Sequence, residues 1–154
     1  NLEIGKPIKE CREDFAGDEY YFNEFITHGA AYLEDEITVN EGKVQHRIVY
    51  EPRGVAACIV AWNFPFTNFL WSVIPNLIVG NTVVFKHSEE CPLLGKLIDD
   101  MFNEYGKLPK GVFTQIFGGS ETGWQLVNEN IDLVWFIGSS RVGKKIYELA
   151  GKKQ

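Results

Sequence analysis

No uninterrupted apolar run in this chain reaches the roughly 20 residues needed to span a bilayer as a helix. The longest candidate, Phe64 to Val79, is broken by Pro65, Asn68, Pro75 and Asn76. No charged-then-apolar leader opens the sequence, so a cytoplasmic protein with no membrane partner is expected. Cysteine is scarce: Cys11, Cys58 and Cys91 are odd in number and lack C-x-x-C spacing. That rules out a disulfide frame and leaves no metal site to expect. Cys58 reads as a small core residue, whereas Cys11 and Cys91 lie in polar surroundings with no histidine at motif spacing. Basic charge is also short, with 15 Lys and Arg against 21 Asp and Glu, a net charge of −6. A nucleic-acid partner is therefore not expected, and Lys144, Lys145, Lys152 and Lys153 read as a solvated helix face. The glycine fingerprint G-x-G-x-x-G is absent as well.

What is present fits a globular domain. A chain of 154 residues, 45% hydrophobic and 14% aromatic, can bury about 70% of its unfolded surface. Residues 1–52 read as a helix-and-strand segment. Asn1 to Gly17 are polar and turn-rich, and look like the entry to something larger. Phe22, Phe25, Ile26, Gly29 and Leu33 then share a helical face between Asp18 and Leu33. Lys43 to Glu51 alternates as a strand, with Val44, His46, Ile48 and Tyr50 on one side. It follows a short strand at Ile37 to Val39 and the turn Asn40-Glu41-Gly42. His46 is expected to be a half-buried strand residue rather than a base.

Residues 53–154 change pattern. Strands Val55–Ala61, Thr82–Phe85, Val112–Phe117 and Leu133–Ile137 alternate with helices Phe66–Val79, Pro92–Tyr105, Glu121–Val127 and Ser140–Ala150. Strands separated by helical patterns predict βαβ units and a parallel sheet. The fold class expected is α/β: a doubly wound parallel sheet with a flanking N-terminal helix and β-hairpin.

Open α/β sheets hold ligands at the carboxyl ends of their strands, and three such ends carry polar residues. At Trp62-Asn63, the Asn63 amide could donate into a site or simply finish the strand. At Lys86-His87-Ser88-Glu89, a cation, a hydroxyl and a carboxylate share one short loop. Glu89 there could accept from ribose hydroxyls, or both charges could be surface residues. At Phe136-Ile137-Gly138-Ser139, the strand runs into a helix whose free N–H groups favour a phosphate, although Ser139 or Ser140 also suits an ordinary N-cap. Gly118-Gly119-Ser120 is a plain turn or a backbone wall.

Taken in order, Glu51-Pro52-Arg53-Gly54-Val55, Trp62-Asn63-Phe64-Pro65, Gly80-Asn81-Thr82-Val83-Val84-Phe85-Lys86-His87-Ser88-Glu89, Leu108-Pro109-Lys110-Gly111-Val112 and Phe136-Ile137-Gly138-Ser139 with Val142-Gly143 resemble the aldehyde dehydrogenase superfamily. The resemblance runs from Gly5 onward and implies a Rossmann-like coenzyme domain. It implies that Asn63 is the catalytic oxyanion-hole amide. Lys86 and Glu89, with Ser88 between them, would hold the adenosine ribose. Ser139 and the start of its helix would meet the pyrophosphate, with Trp62 and Val142 lining the same cleft. Ile59, Val60, Ala61, Gly119, Phe136 and Gly138 would supply apolar and backbone walls. Glu89 implies NAD rather than NADP, by repulsion of a 2′-phosphate.

Three positions depart from the family pattern: Ala61 and His87 stand where proline is usual, and Ile137 where threonine is. His87 could reach the adenosine edge, but a solvent-exposed imidazole is the expectation. The family's Glu-Leu-Gly-Gly base motif and its nucleophilic cysteine are not among these residues, and Cys11, Cys58 and Cys91 match no part of the nucleophile motif. The resemblance thus implies the coenzyme-binding part of an enzyme that oxidises a small-molecule aldehyde substrate to a carboxylic acid through a cysteine thioester. On its own this part is expected to be inactive, since covalent catalysis needs the thiolate. A homo-oligomer is implied too, because the helix Ser140–Ala150 corresponds to one at a dimer contact. The alternative is a non-catalytic nucleotide-binding or assembly module. A generic Rossmann reductase is disfavoured, since no Tyr-x-x-x-Lys accompanies the missing glycine fingerprint.

Overall fold

The computed structural model describes residues 1–153. A long helix α1 (Ile8–His28) and a short 3-10 turn (Ala31–Leu33) precede an antiparallel hairpin of β1 (Glu36–Glu41) and β2 (Val44–Ile48). There follow β3 (Val55–Ile59), α2 (Pro65–Ile78), β4 (Thr82–Lys86), α3 (Pro92–Asp100), β5 (Phe113–Ile116), α4 (Ser120–Asn128), β6 (Leu133–Phe136) and α5 (Ser140–Ala150). The last four strands form one parallel sheet in the order β5-β4-β3-β6. The chain leaves β3 toward one edge and returns to pair β6 on its other side. That reversal is the topological switch point at which doubly wound sheets open a crevice.

Both faces of β3 are covered, which is why its sequence reads as a continuous apolar run. Ala56, Cys58 and Val60 join Phe69, Val73, Phe85, Ile98 and Phe113 beneath α2 and α3. Ala57 and Ile59 join Leu126, Val127 and Ile146 beneath α4 and α5. The first face is an aromatic stack, with the Phe69 ring centroid 5.6 Å from Phe85 and 5.8 Å from Phe102. A buried polar seam accompanies it. Ser72 Oγ donates to the Asn68 carbonyl at 2.7 Å, and Asn76 Nδ2 to the Ser72 carbonyl at 2.7 Å. Asn81 Nδ2 donates to Asn76 Oδ1 at 2.8 Å, while Asn81 Oδ1 accepts from the backbone N–H groups of Arg53 and Gly54. The seam fixes the entry to β3, and each buried amide has a partner, as burial of polar groups requires.

Several local expectations are corrected. Residues Ile8–Gly17 are helical, not an irregular entry, and α1 ends at His28 rather than at Leu33. The helix hides its period because most of its surface faces outward: only Asp18 is buried, accepting from Thr67 Oγ1 at 2.9 Å. Its docking uses aromatic pairs instead, Phe15 on Phe66 and Tyr21 on Trp71. All five residues of β2, His46 among them, are exposed rather than half-buried. The helix expected from Pro92 to Tyr105 changes at Met101 into a π turn, closed where the Gly106 N–H bonds the Met101 carbonyl at 2.8 Å. No helix among the described residues is long and apolar enough to cross a membrane.

Candidate functional site

At the carboxyl ends of β3, β4 and β6 the sheet opens into a recess of about 200 Å3. One side is Ile59, Val60 and Ala61 from β3 and its exit; the other is Phe136, Ile137 and Gly138 after β6. Lys86, Ser88 and Glu89 close one end, and Val142 and Ile146 of α5 the other. Nine of the twelve residues assigned to a coenzyme from sequence therefore line one recess: Ile59, Val60, Ala61, Lys86, Ser88, Glu89, Phe136, Gly138 and Val142. A larger hollow, about 680 Å3, runs along Asn128–Val134 at the amino end of β6, the wrong end of the sheet for a ligand.

The remaining assigned residues fall elsewhere. Gly119 sits behind Glu89: a Cβ there would lie 3.6 Å from Glu89 Oε1. Ser139 is exposed as the N-cap of α5, its Oγ accepting from the Val142 N–H at 3.4 Å. Trp62 is 52% exposed and borders a separate hollow with Glu3, Ile4 and Glu90, so it does not line the recess with Val142. The chain bends over Trp62–Phe64 between β3 and α2. Asn63 is exposed on this turn, its Oδ1 3.5 Å from Asn68 Nδ2. That contact spends the oxygen and leaves the Asn63 amide N–H groups with no protein partner among the described residues. Lys6 braces the same turn, with Nζ 3.7 Å from the centre of the Phe64 ring.

The charged end is built from a buried lysine. Lys86 is 4% exposed, with Nζ donating to the His87 carbonyl at 3.1 Å and lying 3.5 Å from Glu89 Oε2. Burying an ammonium is costly unless it is paired and hydrogen-bonded, and the carbonyl and carboxylate meet that requirement. Glu89 stays about half exposed, so its oxygens remain open to a ligand. At the other end Gly138 allows a close approach of chain to ring: a Cβ there would fall 2.5 Å from Phe136 Cζ. The α5 N-terminus beyond it presents first-turn N–H groups without intrahelical acceptors.

Sequence reasoning missed part of this wall. Ser120, Gly123, Trp124 and Val127 of α4 line the recess. Their spacing of three, four and seven residues is the available signal, a single helical stripe. His87 was expected in solvent and is instead 5% exposed; Cys91, expected in polar surroundings, is buried. Burial pushes the Cys91 thiol up to about 11 and the Cys58 thiol to about 12. Neither is a ready thiolate at neutral pH.

An acceptor carboxylate and a cation at one end, apolar walls between, and N–H groups at the other suit a ligand with hydroxyls, a flat body and a phosphate. The size is below the roughly 300–1,000 Å3 that encloses whole small ligands, so the recess would take only part of such a molecule.

Comparison with known proteins identifies the family. A sequence model of the aldehyde dehydrogenase family matches residues 1–154. The 2,5-dioxopentanoate dehydrogenase of Saccharolobus solfataricus is 43% identical over 99% of this chain and 32% of its own length. A solved succinic semialdehyde dehydrogenase from Streptococcus pyogenes, in complex with NADP+, superposes with a TM-score of 0.80 at 26% identity, covering 97% of this chain and 33% of that one. The NAD+ complex of an aldehyde dehydrogenase from Bacillus cereus gives 0.77 at 27% identity, over 88% of this chain and 27% of that one. The chain thus spans about a third of the length of the curated relatives it matches. With five ordered motifs, a doubly wound sheet and a family match from end to end, this chain belongs to the aldehyde dehydrogenase family.

Proposed function

We propose that residues 1–154 are the coenzyme-binding part of an NAD-dependent aldehyde dehydrogenase. The observation that supports this most directly is the recess at the switch point, with Lys86 and Glu89 at one end and the α5 N-terminus at the other. Lys86 and Glu89 would take the ribose hydroxyls as donor and acceptor. The Ser139–Val142 turn would meet the pyrophosphate, while Trp124 and Val127 pack on the adenosine. A bound nicotinamide coenzyme would supply the hydride acceptor. Glu89 favours NAD over NADP, because its carboxylate would face a 2′-phosphate of like charge.

Asn63 is the residue of this chain assigned to the chemistry. Its free amide would donate to the oxygen on which charge develops when a thiolate adds to the aldehyde carbonyl. Donors of that kind are worth about 3 to 4 kcal/mol where they have been removed. The thiolate and the general base would come from outside residues 1–154, because Cys58 and Cys91 are buried as thiols and Cys11 matches no nucleophile motif. The parent enzyme would be an oligomer that converts an aldehyde to its acid.

Tryptophan fluorescence during titration with NAD, and separately with NADP, tests the reading. Saturable quenching is expected, tighter for NAD, lost in Trp124→Phe and weakened in Lys86→Ala. An unchanged signal with both nucleotides contradicts it. The second reading, an assembly module, draws on β6, an edge strand paired on one side only. Self-association of a chain with no nucleotide affinity would favour that reading instead.

A further inference from the structure

His87 lies between Lys86 and Glu89 in sequence, yet its ring points to the other side of the sheet. It shares the parity of Phe85, which packs beneath α2 and α3, and its ring centroid is 6.4 Å from that phenylalanine. There it occupies a slot made by a missing side chain. A Cβ on Gly95 of α3 would fall 2.4 Å from His87 Cε1 and 2.6 Å from its Nε2. Gln115 of β5 closes the slot, with Nε2 2.9 Å from His87 Nδ1, and Phe117 meets the ring edge-on at 5.0 Å. Gln115 Oε1 is buried without a partner, so the pairing with His87 is the one hydrogen bond that side chain makes among the described residues.

The backbone of the same residue faces the recess: the His87 carbonyl is the acceptor at 3.1 Å for Lys86 Nζ. A ring locked behind the sheet therefore sets where the lysine's acceptor stands in front of it. We infer that His87 is a positioning residue of the nucleotide site, its side chain held by Gly95 and Gln115 so that its carbonyl places Lys86, and through Lys86 the Glu89 carboxylate. The inference rests on the reading of this recess as a coenzyme site. Nothing in it requires the imidazole to touch the ligand. Substitution should loosen the Lys86–Glu89 loop without removing any ligand-contacting group.

The slot supplies a mutant-cycle test on the full 154-residue chain, with amide hydrogen exchange of His87–Glu90 and the NAD dissociation constant as readouts. Thermal unfolding run alongside confirms that each variant is folded. His87→Ala should speed exchange in this segment and weaken NAD roughly fivefold, about what one lost hydrogen bond is worth. Gly95→Ala should do the same by pushing the ring out. A Cβ on Gly95 would also fall 2.7 Å from Gln115 Nε2, so the background removes both. In His87→Ala/Gln115→Ala, Gly95→Ala should be silent in both readouts and raise the unfolding midpoint, since alanine is the better helix former once nothing fills the slot. A purely structural role would lower the midpoint and leave exchange and affinity of the folded protein unchanged. Unchanged loop exchange in folded His87→Ala overturns the inference, as does a Gly95→Ala effect on loop exchange that persists without His87 and Gln115. Should the wild-type chain bind no NAD, the coenzyme reading fails, while the exchange cycle still decides whether His87 positions the loop.

Discussion

The two faces of the parallel sheet are built from the same strands and do different work. Beneath α2 and α3 the face is closed. Phe69, Phe85, Phe102 and Phe113 pack ring against ring, and the amides of the Asn68–Ser72–Asn76–Asn81 seam are paired. Beneath α4 and α5 the buried set is smaller, Ala57, Ile59, Leu126, Val127 and Ile146, and the layer parts at the carboxyl ends to leave the recess. Alternate residues of a single strand thus feed a closed face and the face that opens into the recess. Substitutions of similar size should consequently have different costs on the two sides: folding on one, ligand affinity on the other.

The sharpest break in that comparison is Phe69→Ala. This ring is fully buried among three others, and its loss should cost about 3–5 kcal/mol of folding stability. Denaturant unfolding should show the midpoint falling while NAD affinity of the remaining folded protein is unchanged. Ile146→Ala is the counterpart on the open face. Because the recess beside it can collapse, the expected cost is near the lower end of the range, about 2 kcal/mol, and NAD affinity should fall as well. If both variants lost stability alone, the division between the faces would not hold.

Glu89→Gln gives a smaller and more selective effect. The carboxylate is about half exposed, so its repulsion of a 2′-phosphate is screened to about 1 kcal/mol. The ratio of NADP to NAD affinity should rise roughly fivefold, with a modest loss of folding stability because the buried Lys86 ammonium loses its charged partner. An unaltered ratio would remove Glu89 from coenzyme choice.

The smallest effect is on pH dependence. Burial, and then the neighbouring Lys86 ammonium, lower the His87 pKa below its ordinary 6.5. The unfolded chain therefore takes up the proton first as pH falls. Stability from His87 is complete above pH 6.5 and lost as pH drops through its folded value, with a slope of at most about 1.4 kcal/mol per pH unit. His87→Gln, which does not titrate, should flatten that part of the profile. A slope identical to wild type would place the titrating group elsewhere.

Much of this architecture is legible in the sequence because each layer has its own period. Val55–Ala61 reads as a strand buried on both sides, and Leu93, Leu94, Leu97, Ile98, Met101, Phe102 and Tyr105 read as a helical stripe, of which Ile98 is buried while Leu93, Leu97 and Tyr105 are exposed. Family motifs at three strand ends supplied most of the recess wall. What was not legible depends on partners distant in the chain. Nothing near His87 signals that Gly95 and Gln115 will enclose it, and nothing near Cys91 signals its burial. The beginning of α1 at Ile8 is hidden because its docking rests on a few aromatic pairs and not on a continuous apolar face. The motif fixes the place of Trp62 in sequence, while its exposure beside Glu3, Ile4 and Glu90 depends on residues distant in the chain.

The most direct test of the account is a map of backbone amide chemical shifts in the 154-residue chain on addition of NAD. The account predicts saturable changes at Ser88, Glu89, Gly123, Trp124, Gly138 and Val142, with the amides of Phe69–Ile74 and Ile98 silent. Changes centred on the α2 and α3 side, or along the larger hollow at Asn128–Val134, would contradict it.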